Sequence, residues 1–202
     1  MVDKYKNYNE LSKNEVQNID YKITVKDVNS KITCISIHGG NIEPGTSEIA
    51  EAIAGDIYNL YKFEGLKNSK NIMLHITSSN FDDENADKLV AKSEQVISIH
   101  GAKGNEPITY IGGLDKELGR KIAKYLTKKG FKVAKPHAGI DGTTKNNIVN
   151  RGLSKAGCQL EITRAQRQLF FKDGNLKNSN RFNKTDLFFE YIDCIRKALS
   201  EY

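Results

Sequence analysis

Short apolar runs rich in β-branched residues alternate along this chain with segments that repeat at helical spacing. The runs occupy 31–40, 71–77, 95–101, 107–113, 131–135 and 158–163. Predicted helices lie between and after them, at 46–55, 81–94, 114–130 and 185–202. Strands that alternate with helices form a sheet that helices cover on both faces. The pattern therefore predicts an α/β fold.

A hairpin is predicted near the N-terminus. The segment YKITVKDV (21–28) alternates as a strand does, and Asn29-Ser30 separates it from the run at 31–40. Two strands joined by so short a turn are expected to pair with each other, and the second is apolar enough to be buried. Beyond it, Gly130 follows a helical repeat and suits the position just after a helix C-terminus.

The chain has room for one domain and is short for two. Its 202 residues include only three prolines and no repeat or low-complexity segment, so we expect a single domain over 1–202. No apolar run approaches the roughly 18 residues that cross a bilayer. Residues 1–16 are polar and do not resemble a signal peptide. These features predict a cytoplasmic protein without a membrane partner.

The cysteines and the net charge limit which metal sites and which partners are expected. Cys34, Cys158 and Cys194 stand far apart and form no CxxC pair, which favours buried free thiols over disulfides or a thiolate zinc site. The formal net charge of +6 attracts polyanions but does not distinguish nucleic acid from an acidic polymer.

Two apolar runs end in nearly the same way, as CISI-His38-Gly-Gly and VISI-His100-Gly. In open α/β sheets, binding sites gather just beyond the carboxyl ends of strands. A glycine after the histidine permits a turn and a close backbone approach. A single histidine in such a place is usually structural, but a matched pair indicates a site.

Glu43 follows His38 by five residues, across the turn GGNIEPGT. Imidazole and carboxylate groups both bind zinc, and two histidines with one glutamate leave a fourth position open, as catalytic zinc sites do. The residues therefore predict Zn²⁺ held by His38, Glu43 and His100. The alternative is that Glu43 is a solvated loop residue.

Glu161 lies within the apolar run CQLEIT, where alternation places Gln159, Glu161 and Thr163 on one face. A buried carboxylate without a partner is costly, so this acid needs either a partner or a function. Arg164 could pair with it in a structural ion pair. Alternatively, a carboxylate in a partly apolar site beside a metal is what a general base requires.

Three further polar residues are candidates for substrate binding. Asn150-Arg151 precedes the last apolar run, and an arginine fork with an adjacent amide suits a carboxylate, although a solvated loop is the default. His75 follows an apolar run as His38 and His100 do. It could contact the metal site or substrate, or be a core histidine.

In this order, the blocks resemble the poly-γ-glutamate hydrolases of phages and Bacillus, which are often labelled phage-related replication proteins. The resemblance spans about 35–167 and rests on SIHGGNIEPGTSEIA, LHITSSNFDD, SIHG, NNIVNRG and GCQLEITRAQR. It implies a zinc metallopeptidase with a carboxypeptidase-like fold. That fold is a single α/β domain whose mixed central sheet has helices on both faces.

When the family's motifs are matched to this sequence, the resemblance implies that His38, Glu43 and His100 are zinc ligands and that Glu161 is the base that activates the attacking water. Asn150-Arg151 resembles the pair with which carboxypeptidases hold a substrate carboxylate. Arg164, Arg167 and His75 would be further contacts. Carboxypeptidases have HxxE where this chain has HxxxxE, so only the smaller hydrolase family supports Glu43 directly.

The implied substrate and partner is poly-γ-glutamate, a polyanion cleaved at its γ-glutamyl amide bonds. We expect a monomer, and the alternatives to a cytoplasmic location are release by phage lysis and secretion from a longer chain. A zinc amidase acting on a small acylated amino acid or cell-wall peptide would need the same ligands. A basic nucleic-acid-binding phage protein is the third reading, supported by net charge and by the segment 170–184. Scattered charge and the lack of a helix-turn-helix or RNA-binding signature argue against it.

Overall fold

Within residues 3–201, the part of the chain that the computed structural model describes, seven strands form one mixed sheet. The strands are β1 (Tyr21–Lys26), β2 (Ile32–Gly40), β3 (Asn59–Gly65), β4 (Gln95–Ala102), β5 (Thr109–Gly113), β6 (Val133–Ala134) and β7 (Cys158–Thr163). The α-helices are α1 (Tyr8–Asn14), α2 (Thr46–Ala54), α3 (Glu84–Ala91), α4 (Lys116–Lys128), α5 (Arg164–Leu169) and α6 (Asp186–Ser200). Residues 1, 2 and 202 of the predicted domain lie outside the described residues.

The strand order is β1-β3-β2-β4-β7-β5-β6. The four central strands β3, β2, β4 and β7 run parallel, whereas β1 and β5 run antiparallel to the neighbours they flank. The predicted mixed sheet is therefore confirmed. Because β2, β4 and β7 are parallel and adjacent, their carboxyl ends meet at one edge, where sites in such sheets form.

Helices cover both faces of this sheet, as predicted. Along β2, Cys34 points into a cluster that α2, α4 and α6 complete, and Ile35 and Ile37 point into a second cluster against α1 and α3. All nine residues of β2 are buried, which is typical of a central parallel strand. The carboxypeptidase-like relation stays a prediction.

The predicted hairpin is wrong. β1 pairs with β3, where Ile23 lies opposite Phe63, and β2 lies between β3 and β4. The physical reason is burial. β2 is apolar on both faces and needs a strand on each side, whereas β1 alternates and suits an edge with one exposed face.

The segment 71–77 is not a strand. It begins as a 3₁₀ helix (Asn71–Leu74), and its buried residues Leu74 and Ile76 insert into the core from a loop. An apolar pattern indicates that residues are buried, but it does not distinguish a buried strand from a buried loop such as this one.

The other predicted elements agree with the structure, whereas α1, β3 and α5 were not predicted. The predicted helices form α2, α3, α4 and α6, and Gly130 follows α4 with φ of 84°. The three cysteines are free and buried. Among residues 3–201, every helix is too short or too polar to cross a membrane.

Candidate metal centre and catalytic cleft

A cleft of about 570 Å³ opens at the carboxyl ends of β2, β4 and β7. His38, Glu43, His75, His100 and Glu161 all line it, although they come from four distant parts of the sequence. The sheet register explains one of these encounters, because His100 on β4 lies directly opposite Glu161 on β7. The fold therefore brings together the residues for which sequence predicted metal binding and base catalysis.

Three candidate ligand side chains, those of His38, Glu43 and His100, converge inside the cleft. Nδ1 of His38 lies 3.0 Å from Nδ1 of His100 and 3.3 Å from Oε1 of Glu43. Oε2 of Glu43 is 3.8 Å from Nδ1 of His100. Ligands held about 2.0–2.1 Å from a tetrahedral ion lie about 3.3 Å from one another, so these separations suit Zn²⁺.

Neighbouring groups orient two of the three candidate ligands, His38 and Glu43. Nε2–H of His38 donates to the Ile76 carbonyl at 2.8 Å, which turns Nδ1 toward the other ligands. Oε2 of Glu43 accepts from the Gly101 amide at 2.7 Å. Nε2 of His100 is buried without a partner among the described residues. Hydrogen bonds behind a ligand set its tautomer and angle, as in known metal sites.

The electrostatics also favour a cation. Burial acts against the charge of Glu43, but His38 outweighs it and lowers the pKa of Glu43 to about 2. Burial and the nearby His38 lower the pKa of His100 to about 3, so its ring is neutral at pH 7. The two Nδ1 atoms lie 3.0 Å apart, a separation that either a shared proton or a metal ion bound to both nitrogens can produce. The donor set therefore fits a divalent metal.

His75 offers an overlapping ligand set. Single ligand atoms of His38, Glu43 and His75 lie within 4.8 Å of one another. However, the His75 ring stacks on His38, with centroids 4.0 Å apart and planes 27° apart. The lone pairs of an imidazole lie in the plane of its ring. The lone pairs of two nearly parallel, stacked rings therefore point side by side and do not converge on one ion. The His100 ring meets His38 at 72°, and its lone pair can converge on the same point.

Glu161 is a buried carboxylate with one amide partner. Its Oε1 accepts from Nε2 of Gln159 at 3.0 Å, and Asn147 holds the other end of that amide, also at 3.0 Å. Burial, helped by the charge of Glu43, raises the pKa of Glu161 well above its usual range. Among residues 3–201 it forms no ion pair, and Arg164 is exposed at the start of α5. The alternative of a structural ion pair is therefore absent from this structure.

Asn150 and Arg151 lie outside the cleft lining. The five N–H groups of Arg151 donate to Asp87 and to the backbone carbonyls of residues 79, 81 and 146. Nδ2 of Asn150 donates to the carbonyls of residues 142 and 144. Both side chains thus hold the surrounding loops, and their contact with substrate stays a prediction.

Arg167 is buried behind the candidate metal centre and does not line the cleft. Its guanidinium donates to the carbonyls of Ile162, Pro44 and Ala102, at 3.0, 2.5 and 3.2 Å. These bonds tie the end of β7 to the loop after Glu43 and to the end of β4. Arg164 also lies outside the lining, so substrate binding by either arginine stays a prediction.

Several lining residues were missed by sequence reasoning: Thr77, Ser78, Ser79, Lys103, Asn147, Gln159 and the loop 137–144. Strand alternation already placed Gln159 on the face of Glu161, and that signal could have identified it. Lys103 is exposed on the cleft wall and carried no comparable signal. The loop reaches the cleft only through tertiary packing.

The glycine after His100 is required by packing. A Cβ on Gly101 would lie 2.7 Å from Cζ of Arg167 and 2.9 Å from Cβ of Glu43. Because Arg167 is anchored by three carbonyls, Glu43 would have to move. We therefore expect Gly101→Ala to weaken Zn²⁺ binding by about 10–100-fold in chelator competition.

Gly119→Ala is the matched control for this prediction. A Cβ on this helical glycine meets only a side-chain atom of Ile111, at 3.2 Å, and alanine favours a helix. Its metal affinity should equal that of the wild type. Equal affinity in Gly101→Ala would show that the contact between Gly101 and Glu43 does not position the ligand.

The fold and the cleft define a class: an α/β protein with a candidate metal centre and a buried carboxylate at the carboxyl ends of parallel strands. Residues 5–194 match the model of a family described as poly-gamma-glutamate hydrolase. The UPF0714 protein YmaC of Bacillus subtilis (strain 168) is 37% identical over 98% of this chain and 85% of its own length.

Two solved structures are also similar. A bacteriophage poly-gamma-glutamate hydrolase superposes with a TM-score of 0.96 and 36% identity, covering 100% of this chain and 98% of that one. A structure of YNDL described as zinc-free superposes with a TM-score of 0.93 and 32% sequence identity, and the match covers 98% of each chain. This chain belongs to the poly-gamma-glutamate hydrolase family, and its predicted family is confirmed. Its general activity is that of a hydrolase.

Proposed function

We propose that this chain hydrolyses the γ-glutamyl amide bonds of poly-γ-glutamate, with Zn²⁺ held by His38, Glu43 and His100 and with Glu161 as the general base. The observation that carries the proposal is the convergence of three candidate ligand side chains, whose nitrogen and oxygen atoms lie 3.0–3.8 Å apart, in a cleft that also contains a buried carboxylate. The family supports the substrate, and a relative's structure described as zinc-free supports zinc as the ion.

The ligands have defined protonation states in this proposal. Glu43 is a carboxylate and His100 is neutral, and His38 binds through Nδ1 because its Nε2–H donates to the Ile76 carbonyl. When bound, Zn²⁺ supplies Lewis-acid polarisation of the scissile carbonyl and lowers the pKa of water toward about 7.

Glu161 has the features of a proton carrier. Its raised pKa means that the carboxylate readily takes a proton from the attacking water and, as a carboxylic acid, can return it to the leaving amine. Gln159 fixes Oε1, and Oε2 accepts no hydrogen bond from the described residues. This second oxygen is free for the proton transfer.

Charge supports a polyanionic substrate. Each repeat of poly-γ-glutamate carries a free α-carboxylate. Lys103 places an exposed cation on the cleft wall, and the net charge of +6 attracts the polymer as a whole.

The test is cleavage with and without metal. Purified protein is incubated with poly-γ-glutamate as prepared, after chelation, and after Zn²⁺ is restored, and product size is followed by gel filtration. We expect the polymer to shorten only when Zn²⁺ is present. An intact polymer together with cleavage of γ-linked dipeptides or small acylated amino acids would instead establish the amidase reading.

A further inference from the structure

Asp3 fastens the N-terminal segment to the wall of the cleft. Its carboxylate accepts hydrogen bonds from Nδ1–H of His75 at 2.7 Å, from the Thr77 amide at 2.6 Å and from the Thr77 hydroxyl at 2.7 Å. The Asp3 side chain is only 12% exposed. Hydrogen bonds to an ionised group are about twice as strong as neutral ones, so this carboxylate holds the segment 75–77 firmly.

The same segment contacts a proposed zinc ligand on its other side. The His75 ring stacks on His38 at 4.0 Å, and the Ile76 carbonyl accepts Nε2–H of His38 at 2.8 Å. The two contacts that orient the His38 ring on this side are therefore made by residues 75 and 76, which lie in the segment that Asp3 holds in place.

Asp3 also determines which nitrogen of His75 is free. A carboxylate can only accept, so His75 carries its proton on Nδ1, and in the neutral ring Nε2 keeps its lone pair. His75 lines the cleft, and its Nε2 has no hydrogen bond to the described residues.

We propose that Asp3 is a positioning residue of the cleft, which fixes the Nδ1–H tautomer of His75 so that Nε2 accepts a hydrogen bond from the substrate amide N–H, and which holds His38 at the angle that metal binding needs. This inference rests on the proposed function. Asp3 lies outside the residues 5–194 that match the family model, so that match does not assign it.

The test compares Asp3→Ala and Asp3→Glu with wild type by two independent measurements. Long-range ¹H–¹⁵N spectra of metal-free and Zn²⁺-loaded protein at pH 8 identify the His75 tautomer. Kinetics on poly-γ-glutamate separate kcat from KM. We expect Asp3→Ala to lose the Nδ1–H preference and to lower kcat by about 10–100-fold, with a much smaller change in KM. Asp3→Glu keeps the carboxylate and should recover part of both.

Glu15→Gln is the matched control, because Glu15 fastens the same N-terminal segment without touching the cleft. Its carboxylate accepts from the Tyr5 hydroxyl at 2.5 Å and from Lys4 at 3.1 Å, and it pairs with Lys67. We expect this variant to lower Tm while leaving kcat and the His75 tautomer unchanged. If Asp3→Ala behaves in the same way, Asp3 only stabilises the fold and the inference is overturned.

The two proposals fail in different ways. A wild-type protein that leaves the polymer intact, but whose His75 tautomer and Zn²⁺ affinity respond to Asp3→Ala, contradicts the proposed function and supports the positioning role. Efficient hydrolysis by both wild type and Asp3→Ala, with an unchanged tautomer, supports the function and refutes the role of Asp3.

Discussion

A Glu161→Gln variant is expected to bind Zn²⁺ as the wild type does and to hydrolyse poly-γ-glutamate about 10²–10⁴-fold more slowly, the usual contribution of a general acid–base group. Glutamine has the same shape and keeps an oxygen for the hydrogen bond from Gln159, which holds the native side chain at 3.0 Å. It cannot take a proton from water. The loss should therefore fall on kcat, measured at saturating polymer.

Stability provides a second readout for the same variant. Burial raises the pKa of Glu161, which means that the folded protein disfavours its charge. A neutral amide removes that cost, so the Tm of Glu161→Gln should equal or exceed that of the wild type, as is common where function opposes stability.

Glu106→Gln makes the identical chemical change at an exposed ion pair with Lys132, away from the cleft lining. It should leave kcat unchanged. Full activity in Glu161→Gln would rule out the assignment of the base, and loss of Zn²⁺ from it would show that Glu161 acts on the metal.

The sequence predicted which residues meet in the cleft better than it predicted the path of the chain. His38 and His100 could be predicted because each ends an apolar run, and strands that are buried on both faces place their carboxyl ends at one edge of the sheet. Alternation along β7 placed Gln159 on the same face as Glu161 without identifying it as a lining residue, and the structure reproduces this alternation with Leu160 and Ile162 in the core on the opposite face.

The sequence could predict neither which strands pair nor which hydrogen-bond donors are already bonded within the protein. Nothing local showed that β3 would separate β1 from β2, since pairing depends on contacts between segments far apart in the chain. Arg151 has the residue type for binding a carboxylate, yet its five N–H groups are bonded within the protein. Whether such a donor is free depends on contacts between segments that are far apart in the chain.

The largest change in metal affinity is expected from His100→Ala. This substitution removes one of the two ring nitrogens that lie 3.0 Å apart, and two remaining protein ligands are fewer than catalytic zinc sites use. We expect Zn²⁺ affinity to fall by more than about 100-fold, beyond the cost of losing a residue that only supports a ligand. Bound zinc after dialysis against a weak chelator measures this directly.

His75→Ala is the matched variant because it removes an imidazole from the same cleft. The ring of His75 stacks on His38 at 27° and therefore supports a ligand, so its loss should weaken Zn²⁺ binding by no more than about 100-fold. Thermal unfolding gives a parallel measurement, since ligand at 100 times its Kd adds about 2.7 kcal/mol of stability. Added Zn²⁺ should raise the Tm of wild type and of His75→Ala but not that of His100→Ala. If added Zn²⁺ instead raises the Tm of His100→Ala but not that of His75→Ala, then His75, in place of His100, is the third ligand beside His38 and Glu43.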